Sequence, residues 1–169
     1  MKKKGKDISI RLIKKNDVKL FRKVRLNALR DSPASFGQKY DHEIRKPLHY
    51  WQDLVQKVTP PAQDRAFLLF KKEKAVGMIF GFIKEKQQGS VGGMWIHPNY
   101  RKQGFASKLV KKILKWARDK KLKTIKLWNV NGNQTAEKLY RKFGFQLTGK
   151  QKPLESNQKM IISEFKLKL

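Results

Sequence analysis

A short loop of small and basic residues stands directly before the strongest helical pattern of the chain. The loop and the apolar stretch that precedes it comprise Met94, Trp95, Ile96, Arg101, Lys102, Gln103, Gly104, Phe105, Ala106 and Ser107. Small residues let backbone N–H groups approach a ligand closely, and the first N–H groups of a helix have no partner within the helix. The helix dipole adds positive potential at the same point. The loop therefore predicts a site for an anion such as a pyrophosphate.

The same residues have a second interpretation, because glycine and alanine at a helix start also permit close packing. The nucleotide-binding patterns GxGxxG and GxxxxGK[ST] are both absent. The surrounding charge nevertheless favours an anion site. From Lys86 to Arg118 the chain has eight basic residues and no acidic residue. Since a solvated helix face usually mixes both signs, this single sign indicates an anionic ligand.

Two motifs in this region resemble those of the GNAT superfamily of acetyl-CoA-dependent N-acetyltransferases. The first is Arg101-x-x-Gly104-x-Ala106, and the second is Asn133-x-x-Ala136-x-x-Leu139-Tyr140-x-x-Phe143-Gly144-Phe145. The segment from Ala28 to Glu43 is similar to the helical region of many members. The resemblance covers most of the chain. It implies an enzyme that transfers the acetyl group of acetyl-CoA directly to a primary amine in a ternary complex.

The resemblance also implies which residues bind acetyl-CoA. The loop 101–107 would bind the pyrophosphate through its backbone amides. Residues 94–96 would pair with the extended pantetheine arm through main-chain hydrogen bonds, as an added strand does. Asn133 would reach the cofactor from the next helix. Asparagine is also a favoured helix N-cap, and its side chain has enough donors and acceptors for both roles.

Tyr140 would be the catalytic general acid in this family. A phenol with a pKa of about 10 is protonated at neutral pH, so it can donate a proton to a leaving thiolate whose thiol has a pKa of roughly 8.5. The alternative is a packing role, because Tyr140 shares a helix face with Ala136, Leu139 and Phe143.

The base that deprotonates the amine is not assigned by the sequence. Some family members carry a glutamate on the strand before the loop, but residues 91–96 contain no acid. Glu85, His97 and water are the candidates, and His97 stands before Pro98, where a strand end is expected. The chain has no cysteine to carry an acyl group, which agrees with direct transfer.

Hydrophobic periodicity predicts the elements that position these residues. Strands are predicted at 8–12, 66–71, 75–84, 91–96, 124–128, 145–148 and 160–167. Helices are predicted from Asp17 to Arg30, from Tyr40 to Val58 with a break near Pro47, at 103–119, and from 133 to 143. A loop is predicted at 149–159. This order indicates an α/β or α+β fold, and the resemblance implies a mixed, mostly antiparallel sheet of six to seven strands flanked by helices.

Composition limits the remaining possibilities. With 169 residues, the chain is expected to form a single N-acetyltransferase domain over 1–169, with residues 1–6 as a disordered basic arm. The lack of cysteine excludes disulfides and thiolate zinc sites, and the three histidines match no metal-binding spacing. We therefore expect no metal, no membrane segment, a cytoplasmic location, and a monomer or homodimer.

The net charge of +28, from 41 Lys and Arg against 13 Asp and Glu, suggests an alternative function. A basic nucleic-acid- or ribosome-binding module would explain it. However, 32 of the basic residues are Lys, which is typical of solvated surfaces, and no nucleic-acid-binding motif is present. We expect acetyl-CoA and an amine acceptor as partners, with an anionic macromolecule as a further partner of the basic surface.

The sequence does not identify the acceptor, which can be a small molecule, a peptide or a protein. Four acidic residues in the segments that set specificity in the family could hold a cationic amine: Asp31, Asp41, Glu43 and Glu155. These segments are otherwise rich in lysine. The charge therefore argues against polyamines and favours a neutral or anionic acceptor.

Overall fold

The computed structural model describes residues 7–169, so the predicted basic arm at 1–6 lies outside the described residues. The strands are β1 Ile8–Leu12, β2 Arg65–Lys71, β3 Lys74–Glu85, β4 Gln88–Ile96, β5 Thr124–Val130, β6 Gln146–Leu154 and β7 Asn157–Lys168. The helices are α1 Val18–Asp31, α2 Tyr40–Glu43, α3 Leu48–Lys57, α4 Phe105–Asp119 and α5 Gln134–Lys142. Within residues 7–169, no helix has the length and apolar character needed to cross a bilayer.

The seven strands form one sheet in the order β1-β2-β3-β4-β5-β7-β6. Strands β4 and β5 pair in parallel, and every other neighbouring pair is antiparallel. Helix α4 connects the parallel pair, as parallel strands require a crossover rather than a tight turn. The prediction of a mixed, mostly antiparallel sheet flanked by helices is confirmed.

Helices cover both faces of the sheet. Phe67 and Leu69 of β2 pack in the same core as α4, whereas Leu68 and Phe70 pack in the core formed with α1 and α3. Because successive strand residues point to opposite faces, this alternation places α4 and α1 on opposite sides. The central strands are consequently buried on both faces.

Helix α4 is held to the sheet by an apolar stripe with helical spacing. Leu109 and Ile113, four residues apart, are fully buried. Truncation of such a side chain to alanine costs about 2–5 kcal/mol. The helix begins at Phe105, two residues later than predicted, because Gly104 adopts a left-handed conformation (φ +77°) and acts as the N-cap. This packing fixes the position of the α4 N-terminus against β4.

The prediction of a loop over residues 149–159 is wrong. Strand β6 continues to Leu154 and β7 begins at Asn157, so only a tight turn separates them. Strand β6 is an outer strand that pairs with β7 alone, and nearly all its residues are exposed. A strand that is exposed on both faces has no apolar alternation. Pro153 is tolerated there because an edge strand leaves N–H groups on one side unpaired.

Candidate active site

The sheet opens at its centre. Strands β4 and β5 pair only as far as Val91 and Leu127, and beyond them the two strands separate. A β-bulge in β4 lies at the same place, where Met78 pairs with Trp95 but Phe80 pairs with Gly92. The extra residue bends the strand away from its neighbour. The two strand ends thus diverge and leave their facing backbone edges free.

Gly93 makes this bulge possible. Its φ is +59°, in the left-handed region that side chains rarely adopt. A Cβ at this position would also collide with the ring of Phe80, which packs directly against it. No residue other than glycine satisfies both conditions without moving the Phe80 ring.

A cleft of about 590 Å³ fills the space between the diverging strands. It is lined by β4, β5, the loop before α4, the start of α5 and the segment that follows α1. Of the twelve site residues predicted from the sequence, eleven line this cleft: Met94, Trp95, Ile96, Arg101, Lys102, Gly104, Phe105, Ala106, Ser107, Asn133 and Tyr140. The exception is Gln103, whose side chain turns back and donates to the carbonyl of Asn99 at 3.4 Å.

The N-terminus of α4 presents unsatisfied donors to the cleft. Gly104 has no atom within 4 Å of the position its Cβ would occupy, so the backbone is open to a ligand. In the described chain, the backbone amides of residues 102–107 donate to no protein acceptor, and the first intrahelical bond runs from Lys108 to the carbonyl of Gly104. These amides and the helix dipole form an anion site at one end of the cleft.

The side chain of Arg101 holds this loop in place. Its Nε donates to the carbonyl of Ile96 at 2.9 Å, and its Nη2 forms an ion pair with Asp31 at the end of α1. Asp31 also accepts from the indole of Trp95 at 2.9 Å and from the hydroxyl of Ser32 at 2.6 Å. Burial opposes the charged form of Asp31, but these hydrogen bonds and the charge of Arg101 hold its pKa below the usual value.

Tyr140 is buried and also lies in the lining of the cleft. Its ring packs edge-on against Phe145 with centroids 5.8 Å apart, and the residue is 7% exposed. Its hydroxyl borders the cleft, where its nearest polar neighbour is the thioether of Met94 at 4.0 Å. Burial raises the pKa of this phenol. Tyr140 therefore stays protonated through the neutral range and remains able to donate.

Asn133 is the N-cap of α5. Its Oδ1 accepts from the amide of Ala136 at 3.2 Å, and its amide nitrogen has no acceptor among the described residues. Asn129 of β5, which the sequence does not single out, lines the cleft beside it and donates to the Asn133 carbonyl at 3.3 Å. Asn133 can therefore cap α5 with its Oδ1 and still offer its amide nitrogen as a donor to the cleft.

Neither protein candidate for the base lies in the cleft. Glu85 is exposed at the end of β3. The Nδ1 of His97 accepts from the amide of Asn99 at 3.3 Å, and the ring stacks edge-on between Trp95 and Tyr100. No carboxylate or imidazole is found among the described residues that line the cleft.

The segment after α1 forms another wall of the cleft. Ser32, Ser35 and Phe36 line it, although nothing in their local sequence suggests this. The β6–β7 turn fastens this segment, because the hydroxyl of Ser156 donates to the carbonyl of Phe36 at 2.5 Å. Trp128, which is 36% exposed, lies at the rim of the cleft. The ammonium of Lys152 lies over its ring, 4.7 Å from the ring centre.

Splayed central strands, a helix N-terminus open to an anion and a buried tyrosine thus lie around one cleft. The family model described as Acetyltransferase (GNAT) family matches residues 26–145. This chain therefore belongs to the GNAT acetyltransferase family, which confirms the resemblance noted in the motifs. No curated protein matches the chain at a significant level.

Solved structures of the same fold cover nearly the whole chain. A GNAT-family acetyltransferase from Streptococcus pneumoniae is 18% identical, with a TM-score of 0.81 and 96% of this chain and 99% of that chain covered. The ribosomal L7/L12 alpha-N-protein acetyltransferase RimL, in complex with CoA, is 14% identical, with a TM-score of 0.79 and 98% and 96% covered. Spermidine N-acetyltransferase from Vibrio cholerae, with CoA and spermine, is 15% identical, with a TM-score of 0.76 and 96% and 95% covered.

Proposed function

We propose that this single-domain protein is an N-acetyltransferase that transfers the acetyl group of acetyl-CoA directly to a primary amine. The observation that carries the proposal is the open α4 N-terminus, whose free amides at 102–107 face the cleft between the splayed strands. CoA in the similar structures supports acetyl-CoA as the donor. The alternative of a nucleic-acid- or ribosome-binding module is supported by the net charge alone.

The residues around the cleft fit the two ends of acetyl-CoA. The amides of residues 102–107 match a pyrophosphate, which is anionic and rich in acceptors. The free edge of β4 at residues 94–96 offers main-chain groups to an extended chain of amides. The amide nitrogen of Asn133 adds a donor from the facing wall. Arg101 supports the site indirectly, since its side chain is bound to Asp31 and Ile96.

Tyr140 is the proposed general acid. When the amine nitrogen bonds to the acetyl carbon and the carbon–sulfur bond breaks, the sulfur leaves with the electron pair and needs a proton. The Tyr140 hydroxyl borders the cleft, and its raised pKa keeps it protonated. Among residues 7–169 its hydroxyl has no polar contact shorter than the 4.0 Å to Met94, so its proton is available for donation.

Water is the proposed acceptor of the amine's proton. The cleft lining has no acid or imidazole among the described residues, and His97 already uses its Nδ1. An amine that enters from solvent can lose its proton before it attacks, provided that the bulk pH supplies the neutral form. Acetyl-CoA and the acceptor then occupy the cleft together, since the chain has no cysteine to carry an acyl group.

The acceptor is proposed to bind where Ser32, Ser35 and Phe36 line the cleft, which we call the acceptor end. The charge around this part of the cleft favours a neutral or anionic acceptor. Asp31 is neutralised by Arg101, and the rim carries Lys152 over Trp128. A polyamine needs several carboxylates facing the site, and none lines this cleft among the described residues. We therefore propose an α-amino group of an amino acid, peptide or protein rather than a polyamine.

A thiol-release assay tests the proposal. Purified protein and acetyl-CoA are mixed in turn with amino acids, short peptides and spermidine, and free CoA is measured over time. We expect release that depends on the acceptor, with neutral or acidic acceptors faster than spermidine. Failure of acetyl-CoA to stabilise the protein against heat, together with no release for any acceptor, would contradict it.

A further inference from the structure

A second groove, of about 690 Å³, lies on the part of the molecule that the catalytic cleft does not reach. It is bounded by the end of β1, the turn after α3, the start of β2 and the second half of α4. None of its lining residues lines the catalytic cleft. Along α4, Ser107 of the cleft and Lys115 of the groove are separated by about 12 Å of helix rise. The proposed acetyl transfer leaves this groove without a role.

The groove is strongly basic. Its lining includes six cationic side chains, Arg11, Lys14, Lys15, Arg65, Lys112 and Lys115, and a single carboxylate, Asp119. Arg11 pairs with Asp17, and Lys115 pairs with Asp119. The other four cations have no carboxylate partner among residues 7–169. Such a concave cluster of one sign attracts an anionic partner.

The floor of the groove is apolar. Leu12 is 36% exposed, and Pro60 and the edge of Phe67 lie beside it. The ammonium of Lys112 sits 5.6 Å from the Phe67 ring centre, at the boundary between the floor and the charged rim. Trp116 also lines the groove, and its indole N–H has no acceptor in the described chain. A matching partner has carboxylates at its edges and apolar side chains between them.

We propose that this groove docks an acidic segment of a partner protein, with its carboxylates on the rim lysines and an apolar side chain on the floor. RNA fits less well. Phe67 and Trp116 are 4% and 6% exposed, so they cannot serve as stacking platforms for bases. The rim lysines attract phosphates as well as carboxylates, but a nucleic-acid backbone offers no apolar side chain for the floor at Leu12 and Pro60. The docking does not depend on acetyl transfer.

The test measures the binding of a labelled peptide by fluorescence polarisation as protein is added. The peptide has about a dozen residues and contains glutamates and two leucines. The ionic strength is about 0.15 M, where long-range attraction is screened. The groove variant is Lys14→Glu with Lys112→Glu. The control variant is Lys150→Glu with Lys159→Glu, two exposed lysines on the β6–β7 hairpin at the opposite edge of the sheet. Both variants change the net charge equally.

We expect the groove variant to raise the Kd about tenfold and the control variant to raise it less than about twofold. A peptide with serines in place of the leucines is expected to bind more weakly. If the charge-reversed groove variant does not fold, Lys14→Gln with Lys112→Gln takes its place, because glutamine keeps part of each side-chain stem. Equal weakening by the groove and control variants, tighter binding of an oligouridylate of similar length, or no loss with the serine peptide would each overturn the proposal.

Discussion

Asp31 and Arg101 are 70 residues apart in the chain and form an ion pair that ties the end of α1 to the loop before α4. The same carboxylate accepts from the indole of Trp95 at 2.9 Å, so it also holds β4. One aspartate thus fixes three walls of the cleft relative to each other. This contact therefore holds the loop whose amides we propose to bind the pyrophosphate.

Replacement of Asp31 by asparagine is expected to destabilise the protein by about 1–3 kcal/mol, because it removes the charge that accepts these hydrogen bonds. The pKa of Asp31 is lowered in the folded state. Its stabilisation is therefore complete above the unfolded pKa of about 3.9 and disappears as the pH falls through the folded value. Urea unfolding of the wild type and Asp31→Asn at neutral pH and near pH 3 measures both effects.

The control is Asp41→Asn, since Asp41 is exposed and makes no ion pair in the described part of the chain. It should change the unfolding free energy by less than about 0.5 kcal/mol. A stability difference between wild type and Asp31→Asn that is equally large at both pH values would refute the ionic role of Asp31.

Replacement of Tyr140 by phenylalanine is expected to lower kcat by about 10²–10⁴-fold, the usual contribution of a general acid. The melting temperature should hardly change, because within the described residues the hydroxyl has only the weak contact with Met94. Tyr50→Phe is the control, as its hydroxyl donates to Glu43 at 2.9 Å outside the cleft. A kcat for Tyr140→Phe within twofold of the wild type would mean that the residue only packs.

The pH dependence of kcat/KM should follow the acceptor rather than the protein. With water as the proton acceptor, the rate rises with the neutral fraction of the amine. Its apparent pKa is expected near 8 for an α-amino group and near 10 for a lysine side chain. Because burial raises the pKa of Tyr140, no descending limb is expected below about pH 10.

His97→Gln should leave this profile unchanged, because His97 lies outside the cleft lining. A pH profile that is the same for both kinds of acceptor and that changes in His97→Gln would instead identify the histidine as the base.

Ser156→Ala is expected to loosen the acceptor end of the cleft. It removes the bond from the Ser156 hydroxyl to the Phe36 carbonyl and should cost about 1 kcal/mol of stability. The KM for the acceptor should rise several-fold while the Kd for acetyl-CoA stays the same, because Ser156 contacts Phe36 and not the amides of residues 102–107. Ser9→Ala, on an exposed position of β1, is the control. Equal changes in both constants would show that the β6–β7 turn has no specific role.

The residues that the sequence assigns to acetyl-CoA are recognised from local signals. Gly104 and Ala106 at a helix start, Asn133 before the next helix and the apolar stripe of α4 each follow from neighbouring residues. The order of strands and helices follows for the same reason. These short-range patterns place eleven of the twelve predicted site residues in one cleft.

The acceptor end depends on contacts between distant segments, which a single sequence does not reveal. Asp31 contacts Arg101 because the fold brings the end of α1 to the loop before α4. Ser156 contacts Phe36 because the fold brings the last hairpin to the segment after α1. The start of β6 is predicted, but its continuation from Gly149 to Leu154 is not, because this part is exposed on both faces and contains Pro153. The bulge at Gly93 is likewise visible only in the pairing of β3 with β4.

The most direct test of the account is calorimetric titration of acetyl-CoA into the wild type, Gly104→Asp and Gly149→Asp. Both glycines have positive φ (+77° and +85°) and open space at the Cβ position, so the two variants share the same backbone strain and charge. Only Gly104 borders the anion site. We predict similar Kd values for the wild type and Gly149→Asp and a Kd about a hundredfold higher for Gly104→Asp. Equal binding by the two variants, or no binding by the wild type, would contradict the account.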